Sequence, residues 1–285
     1  MQPTTPTPIP GAARVRSAAR PRRQRLTARA PLTLTLALLL AGRVDAAIQT
    51  EAVQYHDGDQ VLTGYLTYDD ALTGERPGVL VAHEWWGLND YAKRRAHMLA
   101  ELGYVAFAAD LYGDHKVTTH AADAQGWMTQ ITANQAAWQQ RAQAGLDALK
   151  ASDKVDGKRL AAIGYCFGGA TVMQLAYAGA DLAGVVNFHG ALPPAGEGQP
   201  HIKPSILIAH GEKDSMVPPA RVSAFLQGLD AAGADWQMVT YAGAEHAFTN
   251  PEAGSYGVPG VKYDAKADAR SWALMKDFLH EVFSR

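Results

Sequence analysis

Cys166 is the single cysteine of the chain, and it stands in the run Gly164-Tyr165-Cys166-Phe167-Gly168-Gly169. The apolar stretch Arg159–Tyr165 predicts a strand, and Phe167–Tyr177 predicts a helix. A nucleophile between strand and helix occupies a sharp, strained turn above a sheet, and flanking small residues let neighbouring backbone pass close by. The helix beginning at Phe167 directs free amides and a positive dipole end at the thiol, which favours the thiolate. The Phe167 amide can also stabilise an oxyanion. A packing cysteine beside a tight turn is the plainer reading; the strand-turn-helix context outweighs it.

A nucleophile in this setting calls for an acid and then a histidine, in that chain order. Ser205–Ala209 reads as a strand running into a loop that ends at Asp214, and His246 follows a further strand, Trp236–Tyr241. His246 would accept the thiol proton and later activate water, with Asp214 orienting its ring.

The elements that must position these groups alternate along the chain. Val61–Tyr68, Gly78–His83, Tyr104–Ala109 and Ala183–Phe188 read as further strands. Asp90–Leu102, Ala133–Lys150, Pro219–Ala232 and Ala265–Phe283 read as helices. Strands separated by helices imply an α/β fold with a mostly parallel sheet covered on both faces. One domain over 47–285 accounts for the pattern, with function expected at the carboxyl ends of the strands.

Composition narrows the function classes. The chain has 285 residues, 47% of them hydrophobic, which is ample for a core. A lone cysteine cannot form an internal disulfide or a Cys-rich zinc site. Of the 26 Lys and Arg and 28 Asp and Glu, eight arginines and one acid lie in residues 1–46, leaving 18 basic and 27 acidic residues and a net charge of −9 for 47–285. That balance excludes a nucleic-acid footprint on the body. The Arg-rich start, the apolar run Leu32–Ala41 and the small residues before Ala47 fit a cleaved signal peptide over 1–46 and a periplasmic or secreted product. An organellar transit peptide is the less favoured reading, and Arg22-Arg23 only loosely fits a twin-arginine export signal. The apolar run is about half of the roughly 20 residues that span a bilayer, so no stable membrane anchor is expected after signal removal. His83, His115, His120, His189 and His210 form no His-Glu-x-x-His or compact ligand pattern, so neither a metal nor another cofactor is expected.

Several motifs together resemble the dienelactone hydrolase family of α/β-hydrolases across nearly all of residues 50–285. They are His83-Glu84-Trp85-Trp86-Gly87, Ala109-Asp110-Leu111-Tyr112, the Cys166 run, His210-Gly211-Glu212-Lys213-Asp214 and His246-Ala247-Phe248. The resemblance implies the α/β-hydrolase fold and hydrolysis of carboxylic esters or lactones through an acyl-thioester. It implies that the Glu84 carboxylate bonds the resting thiol and, displaced by substrate, helps to generate the thiolate. It also implies the Trp85 amide as a second oxyanion donor. Family members acting on the dienelactone hold its carboxylate with two arginines, whereas this chain has Gly113-Asp114-His115 and Asn250 at those places. A guanidinium clamp is not reproduced by Asn or Gly. An uncharged or aromatic small-molecule ester is therefore expected, with Trp86, Tyr112, Tyr165, Phe248 and Asn250 as candidate substrate-binding residues and a monomer as the working unit. A thioester or activated-amide hydrolase, or a redox-responsive thiol or binding protein on the same scaffold, are the alternatives.

Overall fold

Four strands are buried along their whole length, which requires a helical layer on each side of them. They are β3 (Arg76–Ala82), β4 (Val105–Ala109), β6 (Gly184–Phe188) and β7 (Ser205–Gly211), in which only Pro77 is not fully buried. The computed structural model describes residues 48–195 and 202–285. The expected signal segment, 1–46, lies outside them.

The remaining strands are β1 (Ile48–Asp57), β2 (Gln60–Asp69), β5 (Val155–Tyr165) and β8 (Trp236–Tyr241). All eight join one sheet in the order β1-β2-β4-β3-β5-β6-β7-β8. β2 runs antiparallel to both β1 and β4, and every pairing from β4 onward is parallel. This is the open, mostly parallel sheet expected of an α/β-hydrolase.

Helices α1 (Asp90–Glu101) and α6 (Ala265–Phe283) cover one face, where Leu99, Met275 and Leu279 pack on Val81, Ile163 and Leu207. Helices α3 (Gln135–Lys150), α4 (Phe167–Tyr177) and α5 (Pro219–Ala231) cover the other, where Leu146, Met173 and Phe225 pack on Leu80, Ala162 and Ile208. Both helices on the first face carry side-chain caps: Asn89 accepts from the Ala92 amide, and Asp264 from those of Lys266 and Ala267.

Two elements depart from the sequence reading. β1 was not expected, because most of its residues are exposed and no alternating apolar pattern marks it. It is held by its full-length pairing with β2 across the tight turn at Gly58, which has φ 57°. Helix α2 (Ala121–Thr132) was also not expected; among its residues only Ala124 is buried. The helix expected from Ala133 instead begins at Gln135, where the Asn134 side chain caps it by accepting from the Ala137 amide.

Candidate active site

The carboxyl ends of β3, β5, β7 and β8 deliver Glu84, Cys166, Asp214 and His246 to the same edge of the sheet. Cys166 has φ 54° and ψ −114°, a conformation that L-residues rarely adopt. Its amide donates to the Phe188 carbonyl at 3.1 Å, which ties the turn to β6. Glycine is required on both sides of this turn. A Cβ on Gly164 would stand 2.0 Å from the Gly168 carbonyl oxygen, and one on Gly168 would stand 2.1 Å from that of Ala82. The close approach of α4 to β3 and β5 thus depends on hydrogen in place of a side chain.

Asp214 is fully committed. Its Oδ1 accepts from the Met216 and Val217 amides at 2.9 and 3.3 Å, and its Oδ2 accepts from His246 Nδ1 at 2.8 Å. On the other side of the ring, His246 Nε2 has no partner besides the neighbouring Cys166 sulfur. Burial opposes charge on this imidazole, but the Cys166 and Asp214 groups override it and push its pKa up to about 10. The His246 amide donates to Gly260 and its carbonyl accepts from Lys262, so the 258–262 loop fixes the backbone under the ring.

Glu84 is 2% exposed, and burial raises its carboxyl pKa to about 7. Its Oε2 accepts from Asn250 Nδ2 at 2.6 Å. No hydrogen bond joins Glu84 to Cys166, although both line the same cavity. The resting contact with the thiol implied by the family resemblance is therefore replaced here by a contact with Asn250. The amides of Trp85 and Phe167 have no backbone acceptor among the described residues, and both residues border the cavity. His83 stabilises the loop that carries Trp85: its Nδ1 donates to the Glu84 carbonyl at 2.5 Å, and its Nε2 accepts from the Leu111 amide at 3.1 Å.

The cavity over Cys166 measures about 350 Å³, and neither lysine nor arginine lines it. Trp86 is on its wall, stacked on Tyr256. The other expected substrate-binding residues are not. Tyr165 precedes Cys166 in a strand, so its side chain points to the opposite face, where it stacks on Phe188 at 4.8 Å. Phe248 is buried on that same face, against Tyr241 and His189. Tyr112 lies beneath the cavity: its ring stacks on Phe167, and its hydroxyl donates to the Trp85 carbonyl at 3.1 Å. Asn250 reaches the site only through Glu84. Wall residues that sequence reasoning missed include Met128 of α2, Trp138, Ala191 and Val217. Trp127, Met128 and Ile131, at near-helical spacing, are the signal that could have revealed α2.

Residues 62–283 match the model of the dienelactone hydrolase family. The chain belongs to the dienelactone hydrolase family. A Saccharolobus solfataricus protein named as a carboxymethylenebutenolidase is 28% identical over 74% of this chain and 92% of its own. The Aquifex pyrophilus protein usf is 30% identical over 73% of this chain and 89% of its own. Among solved structures, a dienelactone hydrolase-like promiscuous phosphotriesterase from metagenomic libraries is 43% identical, with a TM-score of 0.81, over 83% of this chain and 99% of its own. The protein is thus a dienelactone hydrolase-like hydrolase, and neither lysine nor arginine stands on its cavity wall to pair with a dienelactone carboxylate.

Proposed function

We propose that this dienelactone hydrolase-like enzyme cleaves uncharged carboxylic esters or lactones through Cys166, His246 and Asp214. The single observation that carries the reading is the Asp214–His246 hydrogen bond, at 2.8 Å, beside a cysteine held at φ 54° on the strand-to-helix turn. The Cys166 sulfur attacks the carbonyl carbon, and the oxygen gains the electron pair and a place between the Phe167 and Trp85 amides. Protonated His246 gives its Nε2 proton to the leaving alkoxide, which leaves an acyl-thioester. Water then attacks this thioester as His246 takes its proton, and the thiolate and acid are released. Glu84 supplies a second base next to the thiol.

Replacing Cys166 with Ala should lower kcat for 4-nitrophenyl butanoate by about three orders of magnitude or more while the fold persists. Turnover equal to that of the unaltered enzyme would overturn the scheme.

A second substrate class is favoured by one comparison. The 43% identical neighbour is named a promiscuous phosphotriesterase, and a cavity wall without lysine or arginine suits a neutral triester. The same thiolate and amides would act on phosphorus, so diethyl 4-nitrophenyl phosphate should be hydrolysed by the unaltered enzyme and not by the Cys166→Ala form. We also propose export, on the composition of residues 1–46. Amino-terminal sequencing of the periplasmic product should begin at Ala47, and a chain retained in the cytosol with Met1 would overturn it.

A further inference from the structure

A second cavity, of about 550 Å³, shares Trp138, Ala170 and Ala191 with the wall of the Cys166 cavity. The two spaces therefore adjoin at these three side chains. Two of the three are alanines, which place nothing beyond a methyl group across this junction. Trp138 cannot swing across it, because its Nε1 donates to Thr171 Oγ1 at 3.0 Å and its ring stacks on Phe167. Beyond the junction the wall is formed by Leu192, Pro193, Pro194 and, from α5, Ala224, Phe225 and the exposed Arg221, so it is apolar apart from one guanidinium at its rim. Pro193 is tied to α4: its carbonyl accepts from the Tyr177 hydroxyl at 2.8 Å.

We propose that this second cavity is the subsite for a long, unbranched acyl chain, so that the enzyme prefers medium-chain fatty esters to short ones. The proposal rests on the ester-hydrolase reading above. The direction of the chain follows from the placement of His246. That residue rises from the face covered by α1 and α6, where Ala244 and Phe248 are buried. It protonates the leaving alkoxide, so the alcohol portion lies toward it. The second cavity opens on the opposite face, among α3, α4 and α5, where Trp138, Ala170 and Phe225 are buried. The part of the substrate bonded to the Cys166 sulfur, the acyl group, is the part that extends there. Each methylene transferred from water into such a wall is worth about fourfold in binding.

The test compares 4-nitrophenyl butanoate with the octanoate, since both release the same alcohol. The octanoate should have a kcat/KM at least about tenfold above that of the butanoate. Ala224 is exposed on α5, so a larger side chain there fills the second cavity at little risk to the fold. Ala224→Trp should lower the octanoate-to-butanoate ratio at least about tenfold, with Ala224→Leu giving a smaller change in the same direction. A ratio at or below unity in the unaltered enzyme, or one unchanged in a folded Ala224→Trp protein, overturns the subsite while leaving the hydrolase reading intact. If no ester is turned over, that reading fails instead, and calorimetric titration with octanamide and butanamide still decides the subsite. Octanamide should bind at least about tenfold more tightly, an advantage that Ala224→Trp removes; equal affinities overturn the proposal.

Discussion

Glu84 holds the most consequential proton of the site. Its carboxyl pKa is raised from the ordinary 4.5 to about 7, because burial penalises the anion more than the Asn250 hydrogen bond and the neighbouring His246 and Arg95 charges favour it. A carboxyl group raised on folding binds more protons folded than unfolded between those two values, so stability falls as pH rises through that window. Below it both states are protonated, and above it the cost is constant at about 3 kcal/mol. Glu84→Gln removes the ionisation and keeps an acceptor for Asn250. It should therefore stabilise the protein by about 3 kcal/mol more near pH 8 than near pH 4, as read from urea unfolding. An equal effect at both pH values would show that the acid is not buried in the way described. The activity profile carries the complementary sign. Asn250→Ala deletes a donor that favours the carboxylate, so an acidic limb of kcat/KM near pH 7 should move upward. The sequence announced Glu84 through a family motif but gave no sign of its partner. Asn250 drew notice as a candidate substrate contact at the place of a missing arginine and not as a partner of Glu84, because a contact spanning 166 positions leaves no local pattern.

At the scale of elements, the site depends on how closely α4 approaches β3 and β5. That closeness was legible, since glycines flanking a lone cysteine between an apolar run and a helical one have few other uses. The order of Asp214 and His246 after their strands was legible for the same reason. The cavity wall was not, because which face a side chain takes depends on register: Tyr165, adjacent to Cys166, faces away, whereas Trp138, from another helix, faces in. α2 escaped notice because a helix with one buried residue has little apolar stripe to read. The approach itself can be tested at Gly168. A methyl group there would lie 2.1 Å from the Ala82 carbonyl oxygen, which belongs to backbone that cannot rotate aside. Gly168→Ala should thus cost about 3 kcal/mol or more and lower Tm, unlike Gly126→Ala, where a Cβ in α2 meets nothing within 4 Å. Equal melting temperatures for the two variants would contradict the packing of the turn.

For the whole molecule, the near-neutral charge of the full chain conceals two opposed parts, and the acidic one surrounds the site. A net charge of −9 over 47–285 sets a field that disfavours anions before any contact is made. The cavity adds to this, since no lysine or arginine on its wall pairs with a substrate carboxylate. Asn250, a neutral amide where the family resemblance led to the expectation of an arginine, donates to Glu84 and brings no positive charge. Long-range field and local wall thus act in the same direction, and salt separates them, because exposed charges beyond roughly 10 Å are screened at 0.1 M while a desolvated wall is not. A neutral aryl ester should exceed its carboxylate-bearing analogue in kcat/KM by at least about tenfold at low ionic strength. Raising the salt should recover part of that gap through the field and leave the remainder, which belongs to the wall. Complete recovery would assign selectivity to net charge alone, and a preference for the anionic ester would contradict both contributions.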